Sequence, residues 1–304
     1  MKKQGKSGKG GSRYSVINWR SIIIFCLLLA FALIQGLSEA DVPAEPADAA
    51  LTDIPPYSGE PYTVLNGNIP EFEQTVGDIE VYENYGPLDE YGRCTVAEAC
   101  LDPNLMPQKD RGDISSVRPT GWHSIRYAFV DGGSLYNRCH LIAHQLTGQD
   151  ANDRNLITGT RYMNVDGMLP FENMVADYIR ETGNRVLYRV TPVFGEEEAV
   201  ARGVQMEGWS VDDDGEAICF NVYCYNVQPG VEIDYSTGES RETEFTCDHA
   251  PQDLVLNTSS GKFHSPECSG AVNMNPDNRQ EVSACPDELI AKGYEPCSSC
   301  KPAA

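Results

Sequence analysis

The segment that most constrains the fold runs from Pro170 to Asn184. Proline is favoured at the first position of a helix, and Pro170 stands at such a position. Phe171, Met174, Val175, Tyr178 and Ile179 then recur at helical spacing, and Gly183-Asn184 supplies a stop. The chain on either side has a different texture. Val186 to Val193 and Ala217 to Val227 are rich in β-branched and aromatic residues and read as strands. Upstream, Ile125 to Val130 reads as a strand, Asp131-Gly132-Gly133 as the tight turn of a hairpin, and Leu135 to His140 as the returning strand. Thr147 to Asn155 is polar and reads as loop. An amphipathic helix set among strands predicts an α+β fold, with His140 and Asn164 just ahead of a helix whose first turn carries Glu172.

The two ends of the chain differ from this middle. Six cations and no acid occur in residues 1–20, and an apolar run follows from Ile22 to Ile34. A membrane span needs about 20 residues, so this run suits the hydrophobic region of a secretory signal. Ser38-Glu39-Ala40 offers small residues where a signal peptidase reads, and the long basic stretch also suits an uncleaved anchor. Residues 1–40 are therefore expected to be a signal peptide or membrane anchor, with the rest secreted or held on the outer face of the cytoplasmic membrane. Residues 41–75 are rich in Pro, Ala and acid and read as a linker. Of eleven cysteines, ten would be exported, and an even number outside the cell favours disulfides. Cys94 and Cys100 are close enough to close a small loop. Cys219 and Cys224, an odd spacing apart in one strand, face opposite ways and should not pair.

Composition bears on the substrate through charge. The chain has 23 Lys and Arg against 45 Asp and Glu, a net of −22. Removing residues 1–40 takes away six positives and one negative and leaves −27. Such a balance repels phosphate globally. Residues 109–190, however, carry ten positives and nine negatives, so the acidity is segregated away from the chemistry-bearing block. Nucleic acid is not excluded as a partner; weak affinity outside the site is expected.

Hydrolysis of a phosphodiester needs a base for water, a cation to offset developing charge, and groups that hold the phosphate. Asn137-Arg138-Cys139-His140 places Arg and His at i and i+2, on one face of an extended strand. Neutral His suits the base and Arg suits the phosphate. Arg161, Asn164 and Glu172 follow within twelve residues of one another. An Asn carbonyl oxygen is a competent ligand for Mg²⁺, and Glu can accept from water in the ion's hydration shell. Each residue also has an ordinary reading. A lone His at a strand end is commonly structural, and Asn164-Val-Asp166-Gly167 looks like a turn.

The block Tyr136-Asn-Arg-Cys-His-Leu-Ile-Ala-His144, with Asn155 to Met168 and Phe171-Glu-Asn173, resembles the DNA/RNA non-specific endonucleases. The likeness is to the branch with the streptococcal DNA-entry nuclease and secreted DNases, over roughly residues 76–240. It implies a ββα-metal core on a central antiparallel sheet and a Mg²⁺-dependent, sequence-tolerant endonuclease acting on DNA and, as an open alternative, RNA. Carried over by position, His140 matches the general base and Arg138 the Arg of the family's Asp-Arg-Gly-His motif. Asn164 matches the metal ligand, Glu172 matches the Glu that supports it, and Arg161 is a phosphate contact. Cys139 stands where that motif has Gly, and reads as a buried thiol or half of a disulfide. A Cys139–His140 catalytic pair is disfavoured because strand neighbours diverge. A His140–His144 zinc pair lacks an accompanying acid motif, and His123 reads as structural.

Beyond Asn257 the texture changes again. His264-x₃-Cys268 and Cys297-x₂-Cys300 suit a tetrahedral Zn²⁺ and equally suit disulfides outside the cell. The stretch resembles the small metal-binding module of the Ada DNA-repair protein, with His264 in place of a Cys. The resulting organisation is a leader over 1–40, a linker over 41–75, a nuclease domain over 76–245 and a Cys/His module over 257–304. The competing reading is a non-catalytic surface protein, a nucleic-acid binder or adhesin with a metal-binding tail.

Overall fold

The computed structural model describes residues 54–73, 75, 77–243 and 251–302. The expected leader, Cys26 and Cys247 lie outside the described residues. Among those described, no helix is long and apolar enough to cross a membrane.

The frame is a six-stranded antiparallel sheet built from β1 (Tyr62–Val64), β2 (Tyr82–Tyr85), β3 (Ala97–Leu101), β6 (Val186–Val193), β7 (Gly203–Ser210) and β8 (Cys219–Tyr225). Their order across the sheet is β1-β8-β7-β6-β3-β2. All eight residues of β6 are buried, as the run of Val, Leu and Tyr demands of a central strand covered on both faces. The α+β class with a central antiparallel sheet holds.

A second, two-stranded unit lies between β3 and β6 in sequence. It comprises β4 (Tyr136–His140), the one-turn helix α1 (His144–Thr147), and β5 (Leu156–Thr160), antiparallel to β4. Then comes α2 (Leu169–Thr182). Phe171, Glu172, Val175, Ala176 and Ile179 form the buried stripe of α2, while Met174, expected on that stripe, is exposed. Gly183 ends α2 in the left-handed region (φ 72°), its N–H bonded to Ile179 O. The buried Asn226 side chain hangs this ββα unit on the sheet. Its Oδ1 accepts from Thr160 N, and its Nδ2 donates to Thr158 O and Ala201 O.

Three local expectations are corrected. Ile125 to Val130 is not a strand; one isolated bridge, Arg126 to Ser134, is all that forms. Val130 N–H bonds Tyr127 O and Gly133 N–H bonds Val130 O, so successive turns coil the segment, and β4 takes β5 as its partner instead. Asn164 to Gly167 is part of a π-helical turn, Met163–Met168, running into α2. A Cβ at Gly167 would stand 3.2 Å from Cys224 Cβ, so glycine lets this turn lie against β8. Finally, the expected spacer is partly structural. Tyr62–Val64 pairs with β8, and Glu71 N–H bonds the buried Glu207 carboxylate.

Past β8, a small hairpin pairs β9 (Val231–Ile233) with β10 (Ser240–Glu242). The tail forms its own four-stranded sheet of β11 (Gln252–Asn257), β12 (Lys262–His264), β13 (Arg279–Ala284) and β14 (Glu295–Pro296), in the order β13-β11-β12-β14. Short helices α3 (Ser269–Val272) and α4 (Pro286–Ala291) complete it. The sheet begins at Gln252, ahead of the change in composition at Asn257. Alternation along β11 builds two cores: Leu254 and Leu256 pack with Phe263 and Leu289, whereas Val255 packs with Cys268, Ala271, Met274 and Cys297.

All nine described cysteines are free thiols. Cys94 and Cys100 do not close a loop. Cys94 Sγ faces the Asp153 and Leu156 carbonyls, and Cys100 lies within β3. Cys219 and Cys224 do face opposite ways, toward Asn68 O and Met206 Sδ.

Candidate active site

The ββα unit opens onto a cleft of about 660 Å³ lined by all five residues singled out from sequence: Arg138, His140, Arg161, Asn164 and Glu172. Strand alternation puts Arg138 and His140 on the cleft side of β4 and sends Cys139 into the core. There its Sγ lies against Gly159 of β5, at a point 2.4 Å from where a Cβ on that glycine would sit. Burial pushes the Cys139 thiol well up, so a thiolate partner for His140 is ruled out by environment as well as direction.

His140 is 6 % exposed. Its Nε2 lies 3.0 Å from the Asp150 carbonyl oxygen and its Nδ1 lies 3.1 Å from Arg111 Nη2. A carbonyl only accepts and a guanidinium only donates, so the tautomer is set: Nε2 carries the proton and Nδ1 carries the lone pair. Burial, assisted by the charge of Arg111, pushes the imidazolium pKa down to about 4. The ring is therefore neutral at physiological pH. With both nitrogens engaged, and His144 Nε2 turned to Asp150 Oδ1 (3.4 Å), no His140–His144 zinc pair forms.

Glu172 is held in the first turn of α2 and is buried. No hydrogen bond reaches its carboxylate among the described residues, and burial raises its pKa to about 8, opposed by the charge of Arg111. The Asn164 side chain, on the π turn, likewise lines the cleft without a hydrogen-bond partner among the described residues. A buried carboxylate and a half-buried amide oxygen, both hard donors without a hydrogen-bond partner among the described residues, fit an oxygen-ligated divalent cation.

The arginines are differently placed. Arg161 donates from Nε and Nη2 to Asp131 Oδ2 at 3.1 and 2.8 Å, at the rim. Arg138 stacks over Trp122, 4.0 Å from the ring centroid, and donates from Nε to Val117 O and from Nη2 to Ser115 O. Much of its hydrogen bonding thus serves the loop ahead of β4. His123 lies outside the cleft, its Nε2 against Thr237 O. Sequence reasoning missed Arg111 and Asp150. Arg111 lies 29 residues before His140 in an irregular loop, and no spacing rule reaches that far.

The tail holds the other cluster. One ligand atom from each of His264, Cys268, Cys297 and Cys300 lies within 4.8 Å of the rest. Cys268 Sγ is 3.5 Å from His264 Nδ1 and 4.0 Å from Cys297 Sγ, well beyond a disulfide bond. Backbone N–H groups of Cys300 and Ser299 bring the Cys297 thiol down to about 7. A Cβ at Gly270 would stand 2.8 Å from the His264 ring, so glycine there leaves the imidazole its room. Three soft sulfurs and one imidazole fit a tetrahedral metal ion.

The stretch of chain that carries the cleft is similar to known nucleases. Residues 73–211 match the family model described as DNA/RNA non-specific endonuclease. The fold is similar to that of NucA from Streptococcus agalactiae solved with a magnesium ion bound. The two are 27 % identical over 62 % of this chain and 88 % of that one, with a TM-score of 0.54. NucA with no metal bound gives 26 % identity, 64 % and 92 % coverage and a TM-score of 0.56. Sda1 nuclease with a bound zinc ion gives 26 %, 60 % and 97 %, and 0.50. The ββα unit, its cleft and these matches together identify the chain as a nuclease that carries a DNA/RNA non-specific endonuclease domain over residues 73–211.

Proposed function

We propose that the chain is an exported, Mg²⁺-dependent endonuclease that hydrolyses phosphodiester bonds of DNA, and of RNA where the cleft admits it, with His140 as general base. The observation that carries this reading is the His140 geometry. Its Nε2–H is tied to a carbonyl, its Nδ1 lone pair faces the Arg111 guanidinium on the cleft wall, and burial keeps the ring neutral at working pH. Nδ1 takes a proton from the attacking water, and the Asp150 carbonyl stabilises the imidazolium that forms. Asn164 and Glu172 would hold the cation, directly or through its water shell. Bound there, a divalent cation offsets charge on the phosphate and on the departing 3′ oxygen. Products would carry 5′ phosphates. Arg161 contacts the phosphate from the rim by leaving Asp131, and Arg138 braces the loop over β4 while adding positive charge to the cleft. The magnesium and zinc ions in the similar structures support a divalent cation here.

In the same reading residues 62–243 form the catalytic body. Residues 252–302 form a module closed by Zn²⁺ on His264, Cys268, Cys297 and Cys300. Export rests on the basic and apolar leader pattern of residues 1–40. Mature chain incubated with plasmid DNA and with RNA, with Mg²⁺ or EDTA, tests the centre of the proposal. Metal-dependent cutting that His140→Ala abolishes supports it; equal cutting by His140→Ala removes His140 as the base.

A further inference from the structure

Arg111 and Asp150 surround the base, and Asp150 reaches it by two routes. Its backbone oxygen orients the His140 ring. Its Oδ1 accepts the N–H of Gly112, the residue after Arg111, at 2.7 Å. A Cβ on Gly112 would stand 2.7 Å from Asp150 Oδ2, so any larger residue there would push the carboxylate aside. Further along the same loop, Arg138 grips the carbonyls of Ser115 and Val117. The segment from Arg111 to Val117 is thus fastened at both ends to the elements that carry the base. From the near end of this strap the Arg111 guanidinium reaches His140 Nδ1 at 3.1 Å. That is the nitrogen with the lone pair. While Arg111 donates to it, Nδ1 cannot accept from water.

A neutral imidazole is a weak claim on a guanidinium. A phosphate offers a full charge and two oxygens in the fork geometry that arginine matches, and such charge-assisted pairs are about twice as strong. An incoming phosphodiester will therefore draw Arg111 away from the ring. Arg111 also lines the cleft together with Glu172, and its charge opposes the raised pKa of that carboxyl.

We propose that Arg111 is a substrate-responsive residue: it covers the lone pair of His140 in the free enzyme and moves onto a phosphate oxygen when nucleic acid enters. Asp150 and Gly112 are positioning residues that set its reach. The base is then exposed only in the substrate complex. This rests on the reading of His140 as the base.

The test uses the full chain with Arg111→Ala, Arg111→Lys, Gly112→Ala and His140→Ala, each checked for an unchanged melting temperature. Diethyl pyrocarbonate, which acylates an unprotonated imidazole nitrogen, is applied in EDTA, and His140 is followed by peptide mass analysis. His140 should react slowly in the wild type and about tenfold faster in Arg111→Ala. KM for DNA should rise about tenfold in Arg111→Ala, the loss of one charge-assisted contact. Arg111→Lys should restore part of that loss, and Gly112→Ala should raise KM by less than Arg111→Ala does. An unchanged modification rate or an unchanged KM in Arg111→Ala overturns the proposal. Failure of the underlying reading looks different. His140→Ala would then keep wild-type kcat, whatever Arg111→Ala does, and would overturn both.

Discussion

The cleft and the tail gather their chemistry-bearing groups in opposite ways. In the cleft, His140, Asn164 and Glu172 come from β4, a π turn and α2, and the large core beneath holds them in place. Their donors are oxygens and one nitrogen, spread around an open space. In the tail, three sulfurs and a nitrogen converge to within 4.8 Å on a module whose two cores hold only a handful of buried residues each. A fold with a large core can keep its ligands assembled while they wait for an ion. A module of this size needs the ion, or bridges, to be a module at all. The expected ions follow the same division, hard and exchangeable in the cleft, soft and closed in the tail.

The sharpest way to break this contrast is to remove the base. His140→Ala should lower kcat by about 10²- to 10⁴-fold without changing the melting temperature greatly, read by a plasmid-cutting time course beside a thermal melt. A comparable loss of stability would show that the cleft, like the tail, depends on its functional groups to fold.

Chelation should separate the two regions next. With a strong zinc chelator, or in Cys297→Ser, residues 252–302 should lose protection from hydrogen exchange while β6, β7 and α2 keep theirs. Metal analysis should fall by one zinc per chain. Four oxidised tail cysteines in the untreated protein, with no metal, would reverse the assignment.

A gentler test uses pH. The folded pKa of Glu172 lies at about 8, above its unfolded value near 4.5, because burial penalises the carboxylate. Its stabilising contribution is therefore complete below about pH 4.5 and is lost as pH rises toward 8. In EDTA the body should melt at progressively lower temperature across that window. Glu172→Gln should flatten the slope, and Mg²⁺ should restore the wild type at the alkaline end. A slope that Glu172→Gln leaves intact would assign it to another group.

The smallest effect concerns the floor of the cleft. Gly159→Ala would drive a methyl into Cys139 Sγ and Met163 Cε, at 2.4 and 2.6 Å, and overpacking of this kind costs about 1–3 kcal/mol. Cys139→Gly in the same chain should recover most of it, as a double-mutant cycle of thermal melts would show.

Much of this was legible in the sequence because it is local. The helix with Pro170 at one end and Gly183 at the other, β6 in full, and the i, i+2 placement of Arg138 and His140 need only their own neighbours. What was not legible depends on distant partners. β7 escaped because Gly203, Gln205, Glu207 and Gly208 disguise a buried strand. Glu207 is inside because Arg189 of β6 pairs with it at 2.7 Å and Glu71 N–H donates to it. The two ends of β3, Ala97 and Leu101, are buried by partners far along the chain. Asp131-Gly132-Gly133 carries the letters of a hairpin turn, but the residues ahead of it coil. Among the cleft residues, type and spacing left His140 and Asn164 an ordinary structural reading, and the resemblance of the ordered motifs around them, with Glu172, is what marked them out. Arg111 and Asp150 act through a loop closure that no periodicity records.

Cys139 and Gly159 also make one packing unit across the strand pair. The two positions share one small volume, and a β-carbon on the second would press on the sulfur of the first as it stands. What either position can carry therefore depends on what stands at the other, and bulk is accommodated on one side of the contact at the expense of the other.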